Sequence, residues 1–292
     1  MALIGRDLRY RVEALAAYAV IGLFALLPVD WASGLGGWLA RSIGPWLKVS
    51  DMARRNLRRT FPDKSKAEID AIVVEVWDNL GRTAAEFPHI DWLMKNRVEL
   101  VGRENLHLLR DDGLPGLFVA GHLGNWEMAA TTAVMEGIPI TLVYREANNP
   151  FVEKIYRRYR AHTAPGGQIA KGPEGAREIM GVLKAGGHLG MLVDQKMNDG
   201  IKVPFLGRDA MTAPAVGRFA ARFKCPVVPA RVERLKGAHF RITIMKPMDV
   251  QLSGDTHDDT LVLMTAINDQ LGQWVRERPG QWLWLHKRWL EN

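Results

Sequence analysis

The spacing of apolar and polar positions divides the chain into two regimes. Through about residue 95 the period is helical. Arg6, Asp7, Arg9 and Arg11 precede an almost wholly apolar run, Ala14 to Val29. At sixteen residues it falls short of the about 20 that a spanning helix usually needs. A tilted span, a helix lying in a membrane interface and a buried core helix all remain open for it. No small-residue cleavage site follows, which argues against a signal peptide. Trp31, Trp38 and Trp46 recur seven and eight positions apart, on one helical face, as a core stripe or a membrane-facing one. Phe61-Pro62-Asp63 closes the next helix. Ser65 or Asp63 caps a further one over 66–87, carried by Ile69, Ile72, Val73, Val76 and Leu80.

From Val98 the pattern changes. Short apolar runs at 117–120, 138–144, 189–193, 227–232 and 239–244 predict strands, and the stretches 125–136, 150–161, 174–185 and 214–223 between them predict helices. Such alternation predicts an α/β fold, a mainly parallel sheet flanked by helices, preceded by a helical region. The last two strands, separated by Lys236-Gly237, predict an antiparallel hairpin. The boundaries read as a membrane-inserting or interfacial segment over 1–48, a basic helical region over 49–97, and the α/β body over 98–292.

Composition narrows the partners. With 292 residues, 47% of them hydrophobic, the chain can bury a sizeable core. One cysteine excludes a disulfide framework and a thiolate zinc site. Net charge +7 and pI ≈ 9.6 call for an anionic partner: nucleic acid, acidic lipid or an acidic carrier protein. Ten tryptophans favour a membrane surface, and no RNA-recognition or zinc-finger pattern supports nucleic acid. The densest basic stretch, Lys48 to Lys66 with Arg54, Arg55, Arg58 and Arg59, reads either as attraction to lipid headgroups or as a solvated helix face.

The candidate chemistry centres on Gly116 to Ala130. An apolar strand runs into Gly121-His122-Leu123-Gly124, a tight turn, and then a helix with Asn125 as N-cap and Glu127 in its first turn. His122 therefore stands at the mouth of a strand–turn–helix unit, and Glu127 can fold back toward it. A carboxylate beside an imidazole fixes its tautomer and stabilises the imidazolium, as a general base requires. The spacing equally allows a turn histidine satisfied by backbone, with a capping glutamate. Gly187-His188-Leu189-Gly190 echoes the turn. It precedes its strand, however, and ligands of open parallel sheets bind beyond the carboxyl ends, so His188 is read as a loop residue at the opposite edge. The same rule gathers Arg145, Asp194, Gln195, Arg231 and Glu233 on the rim of His122. Gly166 to Pro173 reads as a plain loop or as a glycine-rich approach to a helix that holds a phosphate, with Lys171 as its candidate anion contact. Cys225 reads as core. In Trp282 to Trp289, tryptophans alternate with basic residues, a tail that anchors at an interface or packs over the sheet.

The Gly121-to-Glu127 block resembles the His-x4-Asp/Glu block of membrane acyltransferases, and more narrowly the lipid A late acyltransferases. The likeness covers nearly the whole chain. It includes Arg55-Asn56-Leu57 with Phe61-Pro62, Asn79-Leu80-Gly81-Arg82, and Tyr144-Arg145 with Asn149-Pro150. It continues through Asp194-Gln195, Val203-Pro204-Phe205, Gly207, Ala210 with Thr212, and Trp282-x-Trp284-x-His286. The resemblance implies an enzyme of the cytoplasmic face of the inner membrane. Such an enzyme moves a fatty acyl group from acyl carrier protein to a hydroxyl of a lipid A precursor, an anionic glycolipid. It implies His122 and Glu127 as the catalytic pair. The expected substrate-binding set is Asn125, Trp126, Tyr144, Arg145, Lys171, Asp194 and Gln195. A functional arginine is expected near Arg157–Arg160 or Lys171, at a position the sequence leaves open.

The chemistry agrees. A hydroxyl attacks once a base takes its proton, and a thioester supplies the leaving group. No enzyme nucleophile is then required, and neither Gly-x-Ser-x-Gly nor more than five serines are present. Backbone N–H groups over Gly124–Trp126 are candidates to stabilise the oxyanion. No metal or cofactor is expected, since His-Glu-x-x-His is absent. An acyltransferase for another glycolipid or phospholipid acceptor is the nearest alternative. A metal-dependent hydrolase and a non-catalytic membrane-binding module are more distant ones.

Overall fold

The computed structural model describes residues 2–289. Five helices come first: α1 (Ala2–Leu26), α2 (Val29–Ile43), α3 (Val49–Thr60), α4 (Lys66–Glu86) and α5 (Ile90–Asn96). The α/β part follows as β1 (Val98–Val101), α6 (Arg103–Asp111), β2 (Gly116–Ala120), α7 (Thr131–Met135), β3 (Ile140–Tyr144), α8 (Pro150–Thr163), β4 (Gln168–Ala170), α9 (Pro173–Lys184) and β5 (His188–Leu192). It ends with β6 (Lys196–Phe205), β7 (Arg208–Thr212), α10 (Ala215–Phe223), β8 (Val227–Arg234), β9 (Phe240–Ile244) and α11 (Thr256–Glu277).

Seven strands form one sheet in the order β1-β9-β8-β2-β5-β3-β4. Every neighbouring pair is parallel except β8 with β9, so the expected hairpin is present inside a mainly parallel sheet. Alternation along the strands feeds two apolar layers. Leu117, Val119, Leu189 and Met191 face one; Phe118, Ile140, Val228 and Ala230 face the other. The helical region joins the first layer directly, because Ala53, Leu57, Ile69, Val73 and Val76 pack into the same core as those sheet residues.

Local signals explain the helix boundaries. Ser65 and Glu68 make a reciprocal capping box at the start of α4, and α3 stops at Thr60 before Phe61-Pro62. The α2 and α4 backbones touch through glycines: a Cβ on Gly81 would stand 2.2 Å from the Gly36 carbonyl oxygen. Among the described residues no helix is long and apolar enough to cross a membrane. The apolar run from Ala14 is the second half of α1, whose first half carries Arg6, Asp7, Arg9 and Arg11, and it stops at Leu26. Trp31, Trp38 and Trp46 are 73%, 52% and 87% exposed, so they are not core packing.

Two expectations need correction. Part of the glycine-rich loop at 166–173 is a strand, β4, at the sheet edge. His188 is not a loop residue; it opens β5, buried, with its ring against Phe118 and its Nε2 3.3 Å from the Leu109 carbonyl. Burial lowers its pKa.

A buried ion pair ties the two regimes together. Arg234, ending β8, holds Glu86, ending α4, with both guanidinium Nη atoms. Glu86 has no solvent exposure and also accepts from Ser33 Oγ at 2.6 Å and Asn125 Nδ2 at 2.9 Å. Removing one member of such a pair strands the other charge. Glu86→Ala is therefore expected to lower unfolding free energy by about 3–5 kcal/mol. Urea denaturation followed by circular dichroism measures this, and a loss below about 1 kcal/mol would contradict it.

Candidate active site

The site follows from strand register. β2 and β5 lie side by side, parallel, with Ala120 opposite Leu192. Two residues beyond each of these positions stand His122 and Asp194, so both leave neighbouring strands at their carboxyl ends. Asp194 is fully buried. Its Oδ1 accepts from His122 Nδ1 at 2.7 Å, and its Oδ2 accepts from the His122 backbone N–H at 2.7 Å and from Trp282 Nε1 at 2.7 Å. With Nδ1–H donated to the carboxylate, Nε2 carries the free lone pair. Beside it lie the Gln195 amide, 3.4 Å from Nε2, and the Trp126 ring, 5.2 Å from the imidazole centroid.

Burial would raise the Asp194 carboxyl. The charge and hydrogen bonds of His122 and the nearby His286 outweigh it and hold the carboxyl below the ordinary range. His286 and Arg288 approach Asp194 from the tail, and Lys171 from the end of β4. Arg288 is fully buried, bonded to the Met211 carbonyl and Thr212 Oγ1, and burial brings its pKa down to about 10.

The carboxylate that orients His122 is thus Asp194, where the sequence spacing pointed to Glu127. The chain after the turn forms a single 3-10 turn, Trp126–Met128, ahead of the short α7. There Glu127 faces α8 and accepts both oxygens' bonds from Arg160, Nη2 at 2.6 Å and Nε at 2.9 Å. Arg160 lies over the Tyr144 and Tyr156 rings. Asn125 does not cap with its side chain; it is fully buried and donates to Glu86. The Gly124 N–H is also spent, donated to the Gln281 carbonyl at 3.0 Å, which removes it from the expected oxyanion donors. Gly124 itself is required: its φ is +56° and a Cβ there would meet the Val232 carbonyl at 2.7 Å.

An apolar slot of about 80 Å³ runs beside the pair, over the sheet face. Phe118, Leu142 and Gly190 form its floor, Ala129 and Ala130 its roof, and Trp126, Glu127, Tyr144 and Arg160 its more polar lining. The Tyr144 hydroxyl donates to Glu153 at 2.6 Å; burial, then that carboxylate, push its pKa up to about 12. Arg145 is exposed and bonds Asn148 at 3.4 Å. Lys171 follows β4 and stays solvent-accessible. Arg231 and Glu233 pair with each other, and Arg231 with Glu277 of α11, so neither joins His122. Cys225 is buried.

A family model described as "Bacterial lipid A biosynthesis acyltransferase" matches residues 6–291. The chain is 24% identical to a lipid A biosynthesis myristoyltransferase of Escherichia coli (strain K12), over 97% of this chain and 88% of that protein. It is 22% identical to a lipid A biosynthesis acyltransferase of Haemophilus influenzae, over 91% and 85%. A lipid A biosynthesis palmitoleoyltransferase of Escherichia coli (strain K12) is 22% identical over 92% and 88%. The chain belongs to the bacterial lipid A biosynthesis acyltransferases. It is an acyltransferase of lipid A, and so of lipopolysaccharide, biosynthesis.

Within this acyltransferase the structure brings together His122, Trp126, Asp194 and Gln195, and sets Glu127 and Tyr144 along the slot. The sequence paired Glu127 with His122; its partner in the structure is Arg160, within the basic segment where an arginine was expected without a fixed position. It also missed Trp282 as a partner of Asp194. The Asn79-Leu80-Gly81-Arg82 block acquires a structural reason as well, since Asn79 Nδ2 donates to the Gly124 carbonyl at 3.0 Å.

Because the folded-state pKa of Asp194 is depressed, its contribution to stability is complete above the ordinary aspartate pKa of about 4 and lost as pH falls below it. The unfolding free-energy gap between wild type and Asp194→Asn should therefore stay constant from neutral pH to about pH 5 and shrink below about pH 4. Urea titrations across that range measure it; a gap that widened toward acid would contradict the assignment.

Proposed function

We propose that His122 is the general base that transfers a fatty acyl chain from an acyl carrier protein thioester to a hydroxyl of a lipid A precursor. The observation that carries this reading is the 2.7 Å bond from His122 Nδ1 to the buried Asp194, which frees Nε2 beside an apolar slot. The acceptor hydroxyl gives its proton to Nε2 as its oxygen attacks the thioester carbonyl carbon. A C–O bond forms, the C–S bond breaks, and the proton passes on to the departing thiolate. Asp194 keeps the ring in the tautomer with Nε2 free and stabilises the imidazolium between the two proton transfers. The slot receives the apolar chain, and the Glu127–Arg160 pair sets a fixed charge at its edge. Gln195, Trp126 and Lys171 line the acceptor side. Lys171 and Arg145 meet the negative groups of the glycolipid.

The enzyme sits on the cytoplasmic face of the inner membrane through α1 and α2. Leu15, Leu23, Leu26, Trp31 and Trp38 are exposed along these helices, and Trp46 on the turn that follows α2. The basic helix α3, with Arg58 and Arg59 in its last turn, follows directly. Exposed apolar residues beside a cationic helix suit an anionic bilayer surface.

Two measurements test this reading. Incubation of the full chain with acyl carrier thioester and lipid A precursor should add one acyl mass to the acceptor. His122→Ala should slow that reaction by at least about 100-fold; undiminished turnover would sink the mechanism. Replacing Trp31, Trp38 and Trp46 together with serine should weaken binding to anionic phospholipid vesicles by about tenfold or more, read by co-sedimentation. Unchanged binding would remove these residues from the membrane contact.

A further inference from the structure

The tail Gln281–Trp284 reaches the His122 turn from about 160 positions further along the chain, and it is bonded there on both sides. Leu123 and Trp282 form an antiparallel bridge. The Leu283 N–H donates to the His122 carbonyl at 3.2 Å, and the Gln281 carbonyl accepts from the Gly124 N–H at 3.0 Å. The Gln281 side chain in turn exchanges two bonds with the Arg234 backbone, donating to its carbonyl at 2.7 Å and accepting from its N–H at 2.9 Å. The turn bearing His122 is thereby fixed to β8 through the tail.

The Trp282 side chain adds a second link. Its Nε1–H points at Asp194 Oδ2, 2.7 Å away, in a position that is 1% exposed. The ring is wedged among other rings: Trp284 edge-on at 4.6 Å, His286 at 5.2 Å, Phe205 at 5.5 Å and Trp289 at 6.2 Å. An indole nitrogen only donates, and here it meets a carboxylate oxygen, where the neighbouring Trp284 and Trp289 indoles donate to backbone carbonyls. Aromatic filling of a core would not by itself direct a donor at a buried carboxylate. Asp194 needs both oxygens restrained to keep Oδ1 aimed at His122. Without Trp282, Oδ2 keeps, among the described residues, the His122 backbone N–H alone.

We propose that Trp282 is a positioning residue of the acyl-transfer reaction: its indole N–H locks the Asp194 carboxylate, and through it the His122 ring, in the reactive orientation. This rests on the reading of His122 as general base. Trp282→Phe retains the ring and removes the donor. In the full-length enzyme, assayed with acyl carrier thioester and lipid A precursor, it is expected to lower kcat about tenfold with KM within about twofold. The same substitution made in an Asp194→Ala background should cost less than about twofold, because the group it acts through is gone. Equal losses in both backgrounds, or an unchanged kcat, would overturn the proposal and leave Trp282 as packing. Nitrogen-15 spectra of indole-labelled wild type and Asp194→Ala provide a second readout that needs no Trp282 variant. The Trp282 indole resonance should lie downfield in wild type and move upfield without the carboxylate; an unmoved resonance overturns the proposal. Turnover that survived His122→Ala would instead defeat the general-base reading, and the indole resonance would still report on the Trp282–Asp194 bond.

Discussion

The arrangement depends on a charge pair sealed between parts of the chain that are remote in sequence. Glu86 and Arg234 come from α4 and β8, and neither tolerates burial alone, since an unpaired ion in a low-dielectric interior is costly. The surrounding residues complete the bonding. Asn79 and Thr83 accept from Arg234, Ser33 and Asn125 donate to Glu86, and the Gly237 carbonyl takes a further guanidinium proton. Several of these groups also grip the His122 turn. Asn79 and Thr83 donate to the Gly124 carbonyl, and Asn125 is the next residue. The helical region is therefore not an appendage to the α/β part. It supplies one wall of the mould in which the His122 turn is cast, and the C-terminal tail supplies the other.

Two carboxylates could have partnered one imidazole, Glu127 by its nearness in sequence and Asp194 by strand order, and the fold gives them separate tasks. Asp194 lies without solvent, with donors from the His122 ring, the His122 backbone and Trp282. Such saturation stabilises the anion and fixes its direction. Glu127 is instead neutralised by a two-pronged arginine on α8. Had Glu127 also turned toward His122, Arg160 would have lost its counter-ion at the edge of an apolar slot. Keeping the two carboxylates on different partners satisfies both charges and leaves Nε2 free for chemistry.

The sequence carried the alternation of strands and helices from Val98 onward, because each central strand is an apolar run bounded by turn residues. It also placed His122 at the carboxyl end of its strand, since glycines on either side of the histidine mark a turn after an apolar run. The partner was not legible. Glu127 is five residues away and Asp194 seventy-two, and spacing weighs only the near one. What makes Asp194 the partner is strand order: β5 lies next to β2, with the earlier β3 placed beyond it. Nothing local encodes that insertion. The hairpin of β6 and β7 escaped for another reason. Lys196, Asn198, Asp199, Gly200 and Lys202 interrupt any apolar alternation in β6, whose outer part is solvated. β4 is three residues long and sits behind two glycines, which read as a loop. In the tail, the rings of Trp282, Trp284 and Trp289 pointed correctly to packing as one option, but the direction of a single indole N–H is a property of the folded core.

The N-terminal helix joins the surface chemistry to the site. Its outer side exposes Leu8, Val12, Leu15 and Leu23. Tyr18, Ile21 and Gly22 line a cavity of about 420 Å³ against Phe87, Ile90 and Tyr159. Arg160, whose guanidinium Glu127 holds, lines both this cavity and the apolar slot. On the proposed reading, an acyl chain entering the slot from the carrier thioester meets one fixed cation with its counter-ion already bound. That arrangement lets apolar chain pass without stranding a charge, which a lone arginine or a lone glutamate at the same position would not.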